Sequence, residues 1–261
     1  MLVEEIMSRD PLYVEDSTFL TKARQLIRDY HVHGLPVVND KKHVIGIITT
    51  REVLRVTSTK SNITVAGFTI NVPNLTGDMN ILDASRLMLK EKSDLLPVVK
   101  SEGNPELIGV MSLLDVFRNI DLDKVPDHKK VRDVMSADVV TASPEDPLTK
   151  VWDMMIEGDF TGLPVVGNDG RPMGMITRFD IIKRGWARIS RESETRPVDS
   201  TQMHVQKLMN TPLYFVKSSQ TLRAAIELML KQNIGRITVI DAGKIVGILD
   251  RYDLIKSYLS E

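Results

Sequence analysis

Apolar positions recur along the chain as a set of two short runs that is repeated four times. The first run occupies residues 34–38, 95–99 and 162–166, with a degenerate fourth copy at residues 236–240. The second run starts with glycine about ten residues later, has a hydroxyl or acidic residue at its fourth position and ends in an acid at its seventh. Its copies cover residues 46–52, 109–115, 174–180 and 247–253. Turn-forming residues separate the two runs, so each set predicts a hairpin of buried strands.

An amphipathic helix is predicted before each hairpin. Its apolar residues have helical spacing, as at Leu20, Ala23 and Ile27 in the first copy. Three of these helices follow a serine that is predicted to be the N-cap, namely Ser17, Ser143 and Ser219. Short leading strands are predicted at residues 12–14, 139–141 and 213–216, and residues 68–72 take this place in the second copy. A further helix starts at the end of each second run, so every unit has the predicted order β-α-β-β-α.

The pattern divides the chain into four repeats. We assign residues 1–60, 61–124, 125–186 and 187–261 to repeats one to four. A unit of roughly 60 residues buries only about 60% of its unfolded surface and is marginal alone. We therefore expect an α+β fold in which repeats one and two form one pair and repeats three and four form the other. A polar stretch at residues 188–201 is expected to be an exposed linker or helical extension.

Composition restricts the class of protein. Apolar residues make up 42% and charged residues 26%, which is typical of a chain that folds around a core. Basic and acidic residues balance to a net charge of -1, so binding to nucleic acid or anionic lipid is not indicated. The absence of cysteine fits a reducing compartment and excludes thiolate metal sites. No apolar stretch approaches the roughly 18 residues of a membrane span, and a cytoplasmic location is expected.

The two runs together resemble the cystathionine-β-synthase (CBS) domain. The resemblance rests on Gly-Leu-Pro-Val-Val followed by Gly-apolar-apolar-Thr/Ser-x-x-Asp, and it covers nearly the whole chain. It implies two pairs related by pseudo-twofold axes, called Bateman modules, which form a disc like that of the γ subunit of AMP-activated kinase. It also implies ligands in the clefts between paired repeats, with AMP, ADP, ATP or S-adenosylmethionine as the candidates.

The residues themselves indicate how such a ligand could be held. A Thr or Ser between a strand and a helix places unpaired backbone N–H groups beside a cleft, which suits a phosphate. A carboxylate three residues later can accept two hydrogen bonds from a ribose diol. The same spacing is also that of a capping box, in which the acid binds the N–H at the start of its own helix. For a single copy the capping role is the expected one, and the fourfold repetition favours the binding role.

The four copies differ at these positions. Ser112/Asp115 and Thr177/Asp180 match the family pattern, whereas Thr49 is followed by Glu52, which is one methylene longer. Asp250 replaces the hydroxyl residue of the fourth copy and would repel a phosphate, although Asp253 still suits a ribose.

Further candidates come from neighbouring positions. Guanidinium groups suit phosphate, and arginines lie within the second run at Arg51, Arg178 and Arg251. A solvated surface position is the alternative for Arg51 and Arg251. The family resemblance adds Arg236 as a phosphate ligand and Thr141 as a residue facing the base. Tyr13 and Phe215 are at equivalent positions, where stacking on adenine and packing in the core are both open. The full set of candidate ligand-binding residues is Thr177, Arg178, Asp180, Ser112, Asp115, Thr49, Glu52, Asp253, Arg251, Arg236, Thr141 and Gly162.

The sequence favours a regulatory binding protein over an enzyme. It lacks a cysteine nucleophile and a recurrent His–acid pair, and the five histidines have no metal spacing; His31 and His33 are expected to cap a helix end. We therefore expect no catalytic cofactor and an energy-sensing role through adenine nucleotides. The alternatives are an S-adenosylmethionine-binding regulator and a ligand-free interaction scaffold. The expected partners are an adenine nucleotide and a protein target or second copy of the chain.

Overall fold

The structure is a computed structural model, and it describes residues 1–55, 62–183 and 203–260. The predicted hairpins are present in all four repeats. Their strands are β2 (Gly34–Val38) and β3 (Val44–Thr49), β5 (Leu95–Ser101) and β6 (Asn104–Ser112), β7 (Gly162–Val166) and β8 (Pro172–Thr177), and β10 (Arg236–Asp241) and β11 (Lys244–Asp250). Each hairpin is antiparallel, and in each the first residue of the first strand pairs with the last residue of the second, as Gly162 pairs with Thr177.

Helices flank these hairpins in the predicted order. The helix before each hairpin is α2 (Leu20–Tyr30), α4 (Ile81–Lys90), α6 (Leu148–Glu157) or α8 (Leu222–Gln232). The helix after each hairpin is α3 (Thr50–Arg55), α5 (Leu113–Arg118), α7 (Arg178–Lys183) or α9 (Arg251–Leu259). A further short helix, α1 (Val3–Ile6), lies at the start of the chain. His31 ends α2 in a left-handed conformation with φ of 58°, as expected of a residue at a helix end.

The leading strands depart from the prediction in two repeats. Strands β1 (Val14–Glu15), β4 (Leu75–Thr76) and β9 (Phe215–Val216) add in parallel to their hairpins. The prediction for residues 68–72 was wrong, because the 3₁₀ turn at Val65–Phe68 includes the first of them and the strand begins at Leu75. The prediction for residues 139–141 was also wrong, since the third repeat makes only a single bridge there, from Ala142 to Val165.

The first part of each repeat crosses to the paired repeat before the chain returns to its own hairpin. We call these parts the crossing segments; they cover residues 1–8, 63–70, 129–136 and 203–210. Residues of this crossing segment form reciprocal backbone hydrogen bonds with the partner's second strand, as between Ser8 and Val110 or Asn210 and Met175. The glycine that opens each second run is required by this crossing. A Cβ on Gly174 would lie 2.6 Å from the carbonyl oxygen of Asn210, and one on Gly46 would lie 2.3 Å from that of Ile70. The crossings join repeat one to repeat two and repeat three to repeat four, as predicted.

The crossing segments also determine where the helices begin. The predicted N-caps Ser17, Ser143 and Ser219 were wrong, because the helices start later, after Phe19, Pro147 and Thr221. In each repeat the first helical N–H donates to a carbonyl of the crossing segment. These bonds are Leu20 to Ile63 (2.9 Å), Ile81 to Met1 (3.2 Å), Leu148 to Met203 (3.0 Å) and Leu222 to Lys129 (3.1 Å). A carbonyl group of the paired repeat therefore satisfies the first helical N–H, and in repeat four the local hydroxyl of Thr221 also accepts the N–H of Ala224.

The two pairs meet through their helices. Helices α2 and α3 of repeat one pack against α7 of repeat three, and α4 and α5 of repeat two pack against α9 of repeat four. One continuous apolar core spans repeats two and four and includes the fully buried Phe117. Each repeat thus contacts one partner through its crossing segment and another through its helices, which gives the fourfold ring that the disc prediction requires.

The stretch predicted as a linker, residues 188–201, lies outside the described residues, as do the predicted boundaries at 60/61 and 186/187. Within the described part of the chain, no helix combines the length and apolar character needed to cross a membrane.

Candidate ligand-binding clefts

The acid of each second run binds the start of its own helix. Asp180 accepts the N–H of Thr177 at 2.8 Å and its hydroxyl at 2.6 Å, both through Oδ2. Asp115 does the same for Ser112, at 2.8 Å and 2.6 Å. Glu52 accepts from the N–H and the hydroxyl of Thr49, so the capping geometry is present in all three hydroxyl copies. These hydroxyls give their proton to the acid, and a phosphate at these positions needs another donor.

The second oxygen of the acid distinguishes the copies. Asp180 Oδ1 accepts a hydrogen bond from Asn210 Nδ2 at 2.8 Å, and Asn210 belongs to the crossing segment of repeat four. The side-chain hydrogen bonds of Asp115 all run to Oδ2, which leaves Oδ1 without a donor among the described residues. Capping therefore consumes one carboxylate oxygen and does not by itself prevent the other from accepting hydroxyls.

Repeat four supplies a cation to the cleft of repeat three. Arg236 is the first residue of β10, and its Nη1 donates to the carbonyl oxygen of Gly162 at 3.1 Å. A Cβ on Gly162 would lie 2.9 Å from that Nη1 and 3.2 Å from Thr177 Cγ2, so the guanidinium group lies directly beside Thr177. Burial lowers the pKa of Arg236, and the carboxylate of Asp250 opposes this shift. The structure thus brings the predicted residues Gly162, Thr177 and Arg236 to one place.

The other pair has no such cation at the equivalent contact. There Leu95 opens β5, and its Cδ2 would be 2.6 Å from a Cβ on Gly34. Leu95 therefore occupies in the first pair the position that Arg236 occupies in the second, and an apolar group stands where the guanidinium group lies.

The fourth repeat presents two carboxylates at its helix start. Asp250 donates its N–H to Asp253 Oδ2 at 3.1 Å, and Asp253 donates its N–H to Asp250 Oδ1 at 3.1 Å. Burial, together with the neighbouring charge of Asp250, raises the pKa of Asp253 to about 6. The fourth copy thus has a second carboxylate where the other copies have a hydroxyl.

Two of the predicted arginines bind a carboxylate at the interface between the pairs. Arg178 is 5% exposed and donates to Met155 O and to Asp159 Oδ1, both at 2.8 Å, and Arg51 of repeat one binds Asp159 Oδ2 at 3.1 Å. Arg251 lies 5.9 Å from the ring centre of Phe117. The Nε atoms of all three arginines are buried and have no hydrogen-bond partner among the described residues. These arginines lie at the contacts between pairs, apart from the contact that Arg236 makes inside the second pair.

The family assignment follows from the whole pattern of repeats. The family model of the CBS domain matches residues 3–58, 65–122, 131–186 and 205–260, which together make up most of the chain. The chain belongs to the CBS-domain family. The resemblance inferred from the two runs is therefore confirmed, and each β-α-β-β-α unit is a CBS repeat.

Proteins similar to this chain over most of its length come from archaea. The protein MJ1225 of Methanocaldococcus jannaschii is 29% identical over 195 residues, covering 69% of each chain. Its crystal structure, described as that of a candidate archaeal homologue of γ-AMPK, has a TM-score of 0.84 and 25% identity and covers 99% of this chain and 100% of its own. MJ1404 of the same organism is 27% identical over 260 residues, and the match covers 97% of this chain but only 61% of MJ1404. A Pyrococcus horikoshii protein shares the fold, with a TM-score of 0.67 and 21% identity over 99% of this chain.

The candidate base-facing residues of the CBS repeats lie at the surface. Thr141 is exposed, and Tyr13 and Phe215 are 39% and 49% exposed. Lys42 Nζ lies 5.5 Å above the ring of Tyr13. The alternative that these aromatic rings are core residues is therefore excluded, and their rings remain accessible to a planar ligand.

Sequence reasoning missed Asn210 and Asp159. Asn210 aligns with Ser8 and Ser136 in the Met-Ser/Asn element before the leading strand, and its departure from serine was the available signal. Asp159 follows α6 with φ of 53°, and no repeated pattern marks it. Asp94 was also missed, although it directly precedes the first run of repeat two and influences the pKa of both His33 and Arg236.

Proposed function

We propose that this CBS protein is a regulatory sensor that binds adenine nucleotides, namely AMP, ADP or ATP, in the clefts between paired repeats. The observation that carries the proposal is the assembly of Arg236, Gly162, Thr177 and Asp180 from two repeats in one cleft. Its cation and its carboxylate match the two polar ends of a nucleoside phosphate.

Each of these groups has a defined role in the proposal. Arg236 has five N–H donors, and the contact with Gly162 uses only one of them, so a phosphate can be bound through the others. Asp180 accepts a ribose hydroxyl through Oδ1, while Thr177 holds the carboxylate in place through Oδ2. Ser112 and Asp115 form the second proposed ribose site, which belongs to repeat two in the first pair.

The regulatory part of the proposal is supported by the likeness to MJ1225. That protein is described as a candidate homologue of γ-AMPK, and the two structures agree over all four repeats. We infer that ligand binding changes how this chain binds a protein target or a second copy of itself, in the cytoplasm. No catalytic step and no catalytic cofactor form part of the proposal.

Thermal unfolding with added ligands tests the proposal. AMP, ADP, ATP and S-adenosylmethionine are each added to the purified full chain, with inorganic phosphate and GMP as controls. A ligand at about 100 times its dissociation constant adds about 2.7 kcal/mol to the free energy of unfolding, which is visible as a higher melting temperature. Failure of every adenine nucleotide to raise the melting temperature would contradict the proposal.

Matched variants test whether the rise in melting temperature comes from ligand binding at Asp180. Asp180→Asn keeps one oxygen to cap Thr177 but replaces the other with an amide that cannot accept a ribose hydroxyl. Asp133→Asn is the control, because Asp133 accepts the N–H of Lys130 at 2.8 Å with the same three-residue spacing and does not follow a hairpin strand. Asp180→Asn should weaken nucleotide binding at least severalfold, since a hydrogen bond to a charged group contributes about 1.5–3 kcal/mol, and Asp133→Asn should not.

An S-adenosylmethionine-binding regulator is the second candidate, and the fourth repeat favours it locally. The carboxylates of Asp250 and Asp253 repel phosphate but attract the positive sulfonium and ammonium groups of S-adenosylmethionine. A rise in melting temperature with S-adenosylmethionine that is lost in Asp253→Asn, without any response to AMP, would support this reading over the first.

A further inference from the structure

Asn210 holds a position from which it can compete with a ligand of repeat three. Its backbone is fixed by two hydrogen bonds to Met175, at 2.7 Å and 3.0 Å, where the crossing segment of repeat four meets β8. From there its side-chain amide donates to Asp180 Oδ1 at 2.8 Å. The ribose-binding acid proposed for repeat three is thus partly occupied by the chain itself.

The equivalent positions in the other repeats carry shorter or apolar side chains. Ser8 pairs with Val110 and Ser136 pairs with Ile248 in the same way as Asn210 pairs with Met175. In the remaining repeat the residue that pairs with the second strand is Ile70. Asn210 is the one of these four with a side-chain amide, and its contact with the acid of the second run is therefore specific to repeat three.

Counting acceptor sites shows the consequence for a ribose. An ionised carboxylate has about four lone-pair sites, two on each oxygen. The N–H and hydroxyl of Thr177 fill both sites on Asp180 Oδ2, and Asn210 fills one on Oδ1. One site remains, whereas the two hydroxyls of a ribose diol need two. Asp115 has the same capping bonds but no amide, so both sites of its Oδ1 are available.

We propose that Asn210 is a specificity-determining residue that competes with the ribose diol for Asp180. While its amide stays in place, the site of repeat three binds a single sugar hydroxyl and discriminates weakly between ribose and deoxyribose nucleotides. The site of repeat two, built on Asp115, has no such competitor and discriminates strongly. The inference rests on the proposed nucleotide-binding function and concerns the sugar that each site selects.

The test compares AMP with 2′,3′-dideoxy-AMP by isothermal titration calorimetry. Asp115→Asn provides a background in which the site of repeat three is measured alone, and Asn210→Ser is introduced into it. Serine is the residue at two of the equivalent positions, and the two backbone bonds to Met175 do not need the amide. We expect the ratio of AMP to dideoxy-AMP affinity to rise about fivefold, since one recovered hydrogen bond is worth about 1 kcal/mol.

A reciprocal variant guards against a purely structural effect. Ser8→Asn, in the background of Asp180→Asn, should lower the same affinity ratio at the site of repeat two, because it introduces the competitor there. A general change in stability would alter both affinities together and leave the ratio unchanged. An unchanged or lower ratio in Asn210→Ser overturns the inference while the nucleotide-binding function stands. If neither the wild type nor any variant binds AMP, both the inference and the proposed function are overturned.

Discussion

Gly174→Ala is expected to weaken the crossing of repeat four onto repeat three. A Cβ at this position would lie 2.6 Å from the carbonyl oxygen of Asn210, 3.2 Å from Thr211 Cγ2 and 3.3 Å from Met209 Sδ. The first of these contacts is with backbone that two hydrogen bonds to Met175 hold in place, so the added methyl group cannot be accommodated by a side-chain rotation. The crossing segment must move away from β8.

The cost follows from the bonds that this movement strains. Inserting one methyl group into a closely packed site costs about 1–3 kcal/mol. The two backbone hydrogen bonds between Asn210 and Met175 contribute about 1 kcal/mol each, and the displacement weakens both. We therefore expect the free energy of unfolding to fall by about 2–4 kcal/mol.

Urea denaturation of the full chain measures this change, with Gly103→Ala as the matched control. A Cβ on Gly103 meets nothing within 4 Å, and its φ lies outside the left-handed region, so the same substitution should be neutral or slightly stabilising. Amide hydrogen exchange at Met175 and Asn210 should accelerate in Gly174→Ala alone. Equal stability of the two variants would refute the explanation that the crossing segments require these strand glycines.

Three further predictions concern polar and charged side chains. The pKa of Asp253 is raised to about 6 by burial and by Asp250, so the folded protein loses stability as pH rises from about 4 to 6. Asp253→Asn should therefore raise the free energy of unfolding by about 1–2 kcal/mol at pH 7.5 and by less at pH 5. The melting temperature measured against pH checks this. Thr238 is fully buried and its hydroxyl has no partner among the described residues, so Thr238→Val should raise the free energy of unfolding by about 1 kcal/mol in urea titrations; a loss of similar size would contradict this. Asp159→Asn weakens the charge interaction with the buried Arg178 and tolerates the left-handed backbone, so it should cost about 1 kcal/mol in low salt and less in 1 M salt.

The sequence was sufficient where the determining interactions are local. The hairpin of Gly34–Val38 and Val44–Thr49 could be predicted because its strands, turn and register are set by neighbouring residues. The family, the pairing of repeats and the capping-box spacing could also be predicted, because the two apolar runs and the position of the acid recur four times along the chain.

The remaining features could not be predicted because their cause lies in another repeat. Ser143 has the usual properties of an N-cap, yet α6 starts at Leu148, where Met203 from the crossing segment accepts the first N–H. Asn210 is an unremarkable polar residue in its own repeat and acquires its role only through Asp180 in the paired one. A sequence pattern shows which residues repeat, but not which ones meet after the segments cross.

This crossing makes each proposed site a property of two repeats. The acid and its cap belong to one repeat, whereas Arg236 and Asn210, which bind beside them, belong to the other. A ligand bound as proposed would displace Asn210 from Asp180 and so act on the crossing segment, and the same segment supplies Met203, whose carbonyl accepts the first N–H of α6. Asn210 and the start of that helix are therefore connected through about seven residues of backbone, which span at most ~25 Å when extended. Since α6 leads directly to Asp159 at the contact between the two pairs, the proposed site of repeat three has a short physical route to the other pair.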